Sequence, residues 1–262
     1  MQETGVGRRL FRKAPLTLLL AVACCMSWAQ NVGEYYHDVT DREWDLQIFL
    51  NTAGFGGGFQ HGRTPDLYNK HFWELQFMVN KHPKSIRSIN AFFNNVRPIR
   101  YGQLYSLFLL QGGYGYQRTL HLKPYWGGVQ VSYTLSAGPV LGIGIPNYVE
   151  VLNYKTGFSE IVRYDPEKHN LNNILGGARL FNGITETIFR PGFYAKTGLV
   201  FDFAKSDYKL TALEIGIQYQ MIFPFVQQMA FNPAKKFYLT GYLSFNFGKK
   251  KGRQGGVVIC DL

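Results

Sequence analysis

The sequence predicts an all-β protein: an antiparallel transmembrane β-barrel of eight strands, with ten as the alternative, behind a cleaved signal peptide. Three observations predict it. The first 29 residues have the layout of a secretory signal. The chain after them alternates apolar and polar residues with period two over many short segments. It is also rich in aromatics, with 17 Tyr and 21 Phe, while only 17% of residues are charged.

The signal comes first in the chain. Arg8, Arg9, Arg12 and Lys13 form a positive region, and residues 14–25 are apolar apart from Thr17. Ser27-Trp28-Ala29 then offers small residues for a signal peptidase, so cleavage is expected before Gln30. The apolar run is too short for a membrane helix, which needs about 20 residues. Lipidation at Cys24 is the alternative, but Leu20 lies one position too far upstream for a good lipidation box. Removing residues 1–29 takes away four basic residues and Glu3, so the formal charge falls from +11 to +8. Cys260 is then the one cysteine left, and no intrachain disulfide can staple the fold. The expected organisation is a signal peptide over 1–29, a periplasmic segment over 30–42, an outer-membrane barrel over 43–248 and a basic periplasmic tail over 249–262.

Alternation then locates the strands. Over 193–203, Phe193, Ala195, Thr197, Leu199, Phe201 and Phe203 share one face, and Tyr194, Lys196, Gly198, Val200 and Asp202 the other. Over 213–221, Leu213, Ile215, Ile217, Tyr219 and Met221 alternate with Glu214, Gly216, Gln218 and Gln220. Residues 237–247 repeat the pattern and end on Phe245-Asn246-Phe247. Segments 44–50, 73–79 and 129–136 read likewise, and 101–114 and 140–153 more weakly. Successive side chains of a strand point to opposite faces, so each segment has one apolar and one mostly polar face.

Eight such segments, with the N-terminus in the periplasm, place turns 136–139 and 205–207 in the periplasm. They place 60–70, 116–124, 154–187 and 223–236 outside. They also leave a 20-residue periplasmic connection, 81–100, long for that side, with a short helix expected over Ser85–Phe93. A soluble sandwich or lipocalin would also alternate. Few charges on the polar faces and aromatic strand ends favour the membrane.

An eight-stranded barrel has an interior that side chains just fill. Glu74, Lys196, Asp202 and Glu214 are the expected interior polar groups. A hairpin centred on Ser206 makes Lys196 and Glu214 diagonal neighbours, suited to an ion pair. The histidines are His37, His61, His71, His82, His121 and His169. None sits with a serine and an acid on one strand surface, and no His or Cys pair has zinc spacing. No catalytic residue, cofactor or metal is therefore expected. Gly54, Gly56, Gly57 and Gly58 read as a bend ending the first strand. Arg163, Lys168 and Arg179 in the long loop, and Lys249, Lys250, Lys251 and Arg253 in the tail, are candidate contacts to lipopolysaccharide, lipid headgroups or an acidic partner. Nucleic acid is not implied, because the basic residues are dispersed and the chain is exported.

Three runs carry a family resemblance: Lys81-His82-Pro83-Lys84-Ser85-Ile86-Arg87-Ser88-Ile89-Asn90, Lys123-Pro124-Tyr125-Trp126-Gly127-Gly128-Val129 and Arg163-Tyr164-Asp165-Pro166-Glu167-Lys168-His169. Over about residues 40–248 the chain resembles an uncharacterised outer-membrane barrel family of Bacteroidota. The resemblance implies a small envelope protein with no assigned reaction. By analogy, the expected role is a non-enzymatic accessory subunit of an envelope assembly or secretion complex. A small channel or ligand-binding barrel and a lipid A-modifying enzyme are the alternatives.

Overall fold

Alternating strands with one apolar face must bury their backbone groups against one another, and here they do so by closing on themselves. The computed structural model describes residues 40–66, 68–88, 97–123, 128–152, 157–169, 173–204 and 208–252. The signal peptide, Cys24, most of the 30–42 segment and Arg253 lie outside the described residues.

Among the described residues eleven strands run in chain order: β1 (Thr40–Asn51), β2 (Gly54–Arg63), β3 (Asn69–Asn80), β4 (Tyr105–His121), β5 (Gln130–Pro146), β6 (Tyr148–Leu152), β7 (Ser159–Arg163), β8 (Ile174–Gly177), β9 (Ile188–Asp202), β10 (Lys209–Ile222) and β11 (Phe237–Gly252). Eight of them form a closed antiparallel barrel in the order β1-β11-β10-β9-β5-β4-β3-β2. Strands β6, β7 and β8 make a separate small sheet, followed by a 3-10 turn over Leu180–Glu186.

Register fixes the tilt. Leu46 pairs with Phe59, Phe59 with Leu75 and Leu75 with Gly112; the circuit continues through Pro139, Phe193, Met221 and Phe237. It re-enters the frame of β1 ten residues from its start. With a rise of about 3.3 Å and a strand spacing of about 4.8 Å, that stagger tilts eight strands by roughly 40°, inside the range that barrels need.

The strand count matches the expectation, but two of its members do not. Residues 54–63 form a full strand rather than a bend. Its inward positions are Gly54, Gly56, Gly58, Gln60 and Gly62, so no run of polar side chains alternates with the outward Phe55 and Phe59 to betray it. A Cβ on Gly56 would stand 2.6 Å from the Phe49 ring, and one on Gly58 would stand 2.7 Å from Gln76 Cγ. The glycines are the space those side chains occupy. Conversely, 129–136 and 140–146 are one strand, β5. Gly138-Pro139 resembles a turn, and pairing with β4 does lapse between Gln111–Val140 and Tyr114–Ala137. Pairing with β9 continues through both residues and carries the strand across.

These two changes invert the middle of the topology. Strand β3 now runs opposite to its expected direction, and the following segments turn over with it until β5 restores the order. Connections 64–68 and 122–129 therefore lie at the same end as Thr40 and Gly252, not opposite. The 81–104 connection moves to the far end, where 147–187 and 223–236 also lie. The long connection that fitted badly beside short turns joins the other long ones. Residues 85–88 are not helical: Ser88 instead pairs in an antiparallel bridge with Ile99.

The barrel is apolar outside and polar within. Ile48, Trp73, Leu75 and Leu239 are each more than half exposed on the outer wall, while Gln47, Glu74, Gln76 and Thr240 beside them are buried. Soluble monomers rarely expose apolar patches beyond a few hundred Å². A closed barrel satisfies every ladder group internally, which lipid requires. The wall bears Trp44, His61, Trp73 and Tyr114 along one line of register. Trp73 and Tyr114 pack edge to face at 5.0 Å. Twelve-residue strands such as β3 span roughly 30 Å at this tilt, enough for the hydrocarbon layer. This is the architecture of an integral outer-membrane barrel.

Candidate functional site

The lumen is lined by even-numbered positions of β2, β3, β5, β9, β10 and β11 and by odd-numbered positions of β1 and β4. Glu74, Lys196, Asp202 and Glu214 all face it and are all buried. Three of them meet at its centre. Lys196 Nζ lies 2.9 Å from Glu74 Oε2 and 3.3 Å from Glu214 Oε1. The β9–β10 register pairs Asp202 with Ala212, which centres the hairpin on 207 rather than 206. Moving the centre by one residue keeps the parity, so the faces are unchanged, and the long lysine chain still reaches Glu214.

Hydroxyls and amides complete this triad. Ser136 Oγ and Tyr194 Oη each donate to Glu74 Oε1 at 2.7 Å. Tyr242 Oη donates to Glu214 Oε1 at 2.6 Å, and Asn246 Nδ2 donates to Oε2 at 3.3 Å. The Lys196 ammonium stands 5.3 Å over the Tyr242 ring. Gln76 donates to Gln47 at 2.8 Å, and Gln47 to Gln60. Ions this deep are tolerable only when paired and hydrogen-bonded.

Towards the far end the lumen turns apolar. Phe49, Met78, Leu107, Leu109, Val140, Tyr194, Ile222 and Tyr238 pack together inside the barrel. Met78 and Leu109 have no exposure at all. The interior is filled at this level, as eight strands allow.

Towards the terminal end the lumen opens into a polar vestibule of about 80 Å³. Asp202 lies here, with Lys250 Nζ at 2.7 Å from Oδ2, and Glu214 of the triad also borders the vestibule. Lys70 and Glu43 pair beside it at 2.7 Å. Lys249, Lys250 and Lys251 are thus not a free tail. They belong to β11, because pairing with β1 continues to Thr40–Gly252. Lys250 points inward and is neutralised by Asp202.

The far end carries the chain's largest additions. Ile99, Val149, Tyr164 and Ile174 form a second small core, joined by Leu104, Val151 and Val162. Arg163, expected to be free for lipopolysaccharide, holds Glu186 at 3.3 Å and the Tyr105 hydroxyl at 2.6 Å. Lys168 is 3.5 Å from Asp165. Arg179 is exposed at the start of the 3-10 turn. These three are not brought together in one site.

A different basic group is assembled there. Segments 81–104 and 223–236 contain Lys81, Lys84, Arg87, Arg97, Arg100, Lys235 and Lys236, and no Asp or Glu. They are tied into one body. Lys84 Nζ donates to Asn232 Oδ1, Leu104 N to Gln228 O and Ala230 N to Gly102 O, each at 2.8 Å. Burial, then Lys235 and Lys84, hold the His82 imidazole below its ordinary pKa. A cavity of about 310 Å³ lies between this body and the small sheet, lined by Arg87, Arg97, Arg100, Gln103, Asn147 and Tyr148 among others. The sequence carried a signal for it, five cations and no carboxylate over 81–104, which the expected periplasmic placement obscured.

Of the described histidines, His61 and His71 lie on the outer wall, and His71 Nδ1 is 2.8 Å from Tyr114 Oη. His121 ends β4, and His82 and His169 belong to the far-end segments. Among the described residues no group of three His, Cys, Asp or Glu could hold a metal ion.

No family model and no curated protein matches the chain. Solved structures of similar outline include Ail, the attachment invasion locus protein of Yersinia pestis, in complex with the heparin analogue sucrose octasulfate. That pair shares 7% identity over 80% of this chain and 97% of the other, at a TM-score of 0.39. Neisserial surface protein A gives 10% identity over 81% and 96%, at a TM-score of 0.34. At these scores the assignment of architecture rests on this chain's own closure, register and wall polarity.

Proposed function

We propose that this protein is a non-enzymatic integral outer-membrane barrel that serves as a docking subunit of an envelope assembly or secretion complex, held in lipid by its wall and engaging partners through its far-end cap. The observation that carries the reading is the filled lumen. A barrel whose centre is occupied by Glu74, Lys196 and Glu214, and whose far half is stoppered by apolar side chains, offers no passage to a solute. What remains for function is the surface. The cap is where the chain departs from a minimal barrel, with a separate sheet, its own core and a basic body. Sidedness follows from connection length. The end with residues 64–68, 122–129 and 203–208 has the short connections of a periplasmic face, and the cap has the long ones of an outer face.

Affinity purification from native outer membranes in mild detergent, followed by mass spectrometry, tests this. Stoichiometric recovery of envelope-assembly or secretion components is the expected result. Recovery of the barrel alone, in its folded heat-modifiable form, overturns the docking role.

A further inference from the structure

The cavity in the cap has an unusual charge balance. Arg87, Arg97 and Arg100 line it, and no aspartate or glutamate does. None of the three has an ion-pair partner among the described residues. Arg100 is half-buried, and burial first and Arg87 second pull its guanidinium below its ordinary pKa. Arg87 and Arg100 are close enough to repel, and the described residues supply no counter-ion here. An arriving anion would remove that cost.

The remaining wall is shaped for more than a bare ion. A volume of about 310 Å³ lies at the lower end of the roughly 300–1,000 Å³ that small-molecule sites occupy. Its polar floor is fixed in place: Ser106 Oγ donates to Asn147 Oδ1 at 2.9 Å, and Asn147 Nδ2 donates to Gln103 O at 2.9 Å. Gln103 is further held by Ser85 Oγ at 2.6 Å. Tyr148 contributes an aromatic wall.

We propose that this cavity is a binding site for a phosphorylated saccharide, with the phosphate monoester seated on Arg87, Arg97 and Arg100 and the sugar over the Asn147–Ser106 floor. Guanidinium forks match phosphate oxygens in bidentate geometry. A phosphate monoester carries about −1.5 to −2 at neutral pH, which suits a cluster of three cations better than a single carboxylate does. The surrounding lysines add a field that raises the local concentration of such a group. Lipid-borne sugar phosphate of the outer leaflet and soluble sugar phosphate share this chemistry. The inference goes beyond the docking role and does not depend on it.

The test uses the full chain in a zwitterionic detergent, with N-acetylglucosamine 1-phosphate and N-acetylglucosamine as calorimetric probes. The phosphorylated sugar is expected to bind at least tenfold more tightly than the neutral one. Combining Arg97→Gln with Arg100→Gln is expected to weaken it tenfold or more, and Lys236→Gln by less than threefold. Arg100→Lys, which keeps the charge and loses the fork, should fall between. Each variant is first checked for the heat-dependent gel shift of a folded barrel. If the double variant does not fold, the ratio between the two sugars on the unaltered protein decides. Competition by intact lipopolysaccharide in nanodiscs identifies the lipid as the source, and undiminished sugar binding in its presence identifies a soluble source. Equal affinity for the two sugars, or a folded double variant that binds as well as the parent, overturns the proposal.

Discussion

Lys196 has two carboxylates within 3.3 Å and is almost wholly buried. Replacing it with Met removes the one cation and leaves Glu74 and Glu214 facing each other. Losing one member of a buried ion cluster costs about 3–5 kcal/mol, because the remaining charge stays uncompensated. Lys196→Met is therefore expected to lower the urea midpoint of the barrel in micelles sharply. Glu74→Gln keeps acceptors for Ser136 and Tyr194 and should cost less, about 1–3 kcal/mol. If the order is reversed in urea titrations, the triad does not hold the lumen together. The outer wall obeys the opposite rule. Ile48→Arg places a charge in mid-wall, where about 2–4 kcal/mol of stability should go, again read from the urea midpoint.

At the level of elements, β2 and β5 explain where a reading of the chain succeeds and fails. Lys196, Glu74 and Glu214 are legible because each stands in a strand whose other face is apolar. Strand β2 is not legible, because four of its five inward residues are glycines, set beneath side chains such as Phe49, Gln76 and Lys70 from its neighbours. Nothing local records that those side chains will arrive. Gly56→Leu should therefore abolish the heat-dependent gel shift, since no relaxation of an exposed loop is open to it. The cap behaves differently. The β5–β9 ladder reaches Gly144–Ile188 without help from the inserted sheet. Replacing residues 148–186 with a short turn is expected to leave a folded barrel in circular dichroism and gel-shift assays. A chain that no longer folds would show that the cap is part of the barrel's own stability.

For the whole molecule, the filled interior makes a direct claim about transport. Reconstituted in planar bilayers, the protein is expected to show no steady conductance and no swelling of liposomes in small sugars. A stable conductance would show that the packing of Phe49, Met78, Leu109 and Tyr194 opens in lipid, and would revive the channel alternative. Barrel diameter grows with strand number, and eight strands leave no spare volume once these side chains are inside.

Alternation and composition were enough to establish an antiparallel barrel and the side to which most strand residues point, because side-chain direction in a strand is a local property of period two; the count of eight agreed because missing β2 and dividing β5 offset each other. They were also enough to put Glu74, Lys196, Asp202 and Glu214 in one lumen. Which strands pair, and hence which end holds each loop, came only with closure. Closure depends on contacts between residues distant in the chain, such as Tyr194 on Glu74 and Lys196 between Glu74 and Glu214. The same is true of Arg87, Arg97 and Arg100. Their charges are plain in the sequence, but their convergence on one cavity depends on segment 81–104 meeting the sheet that follows β5.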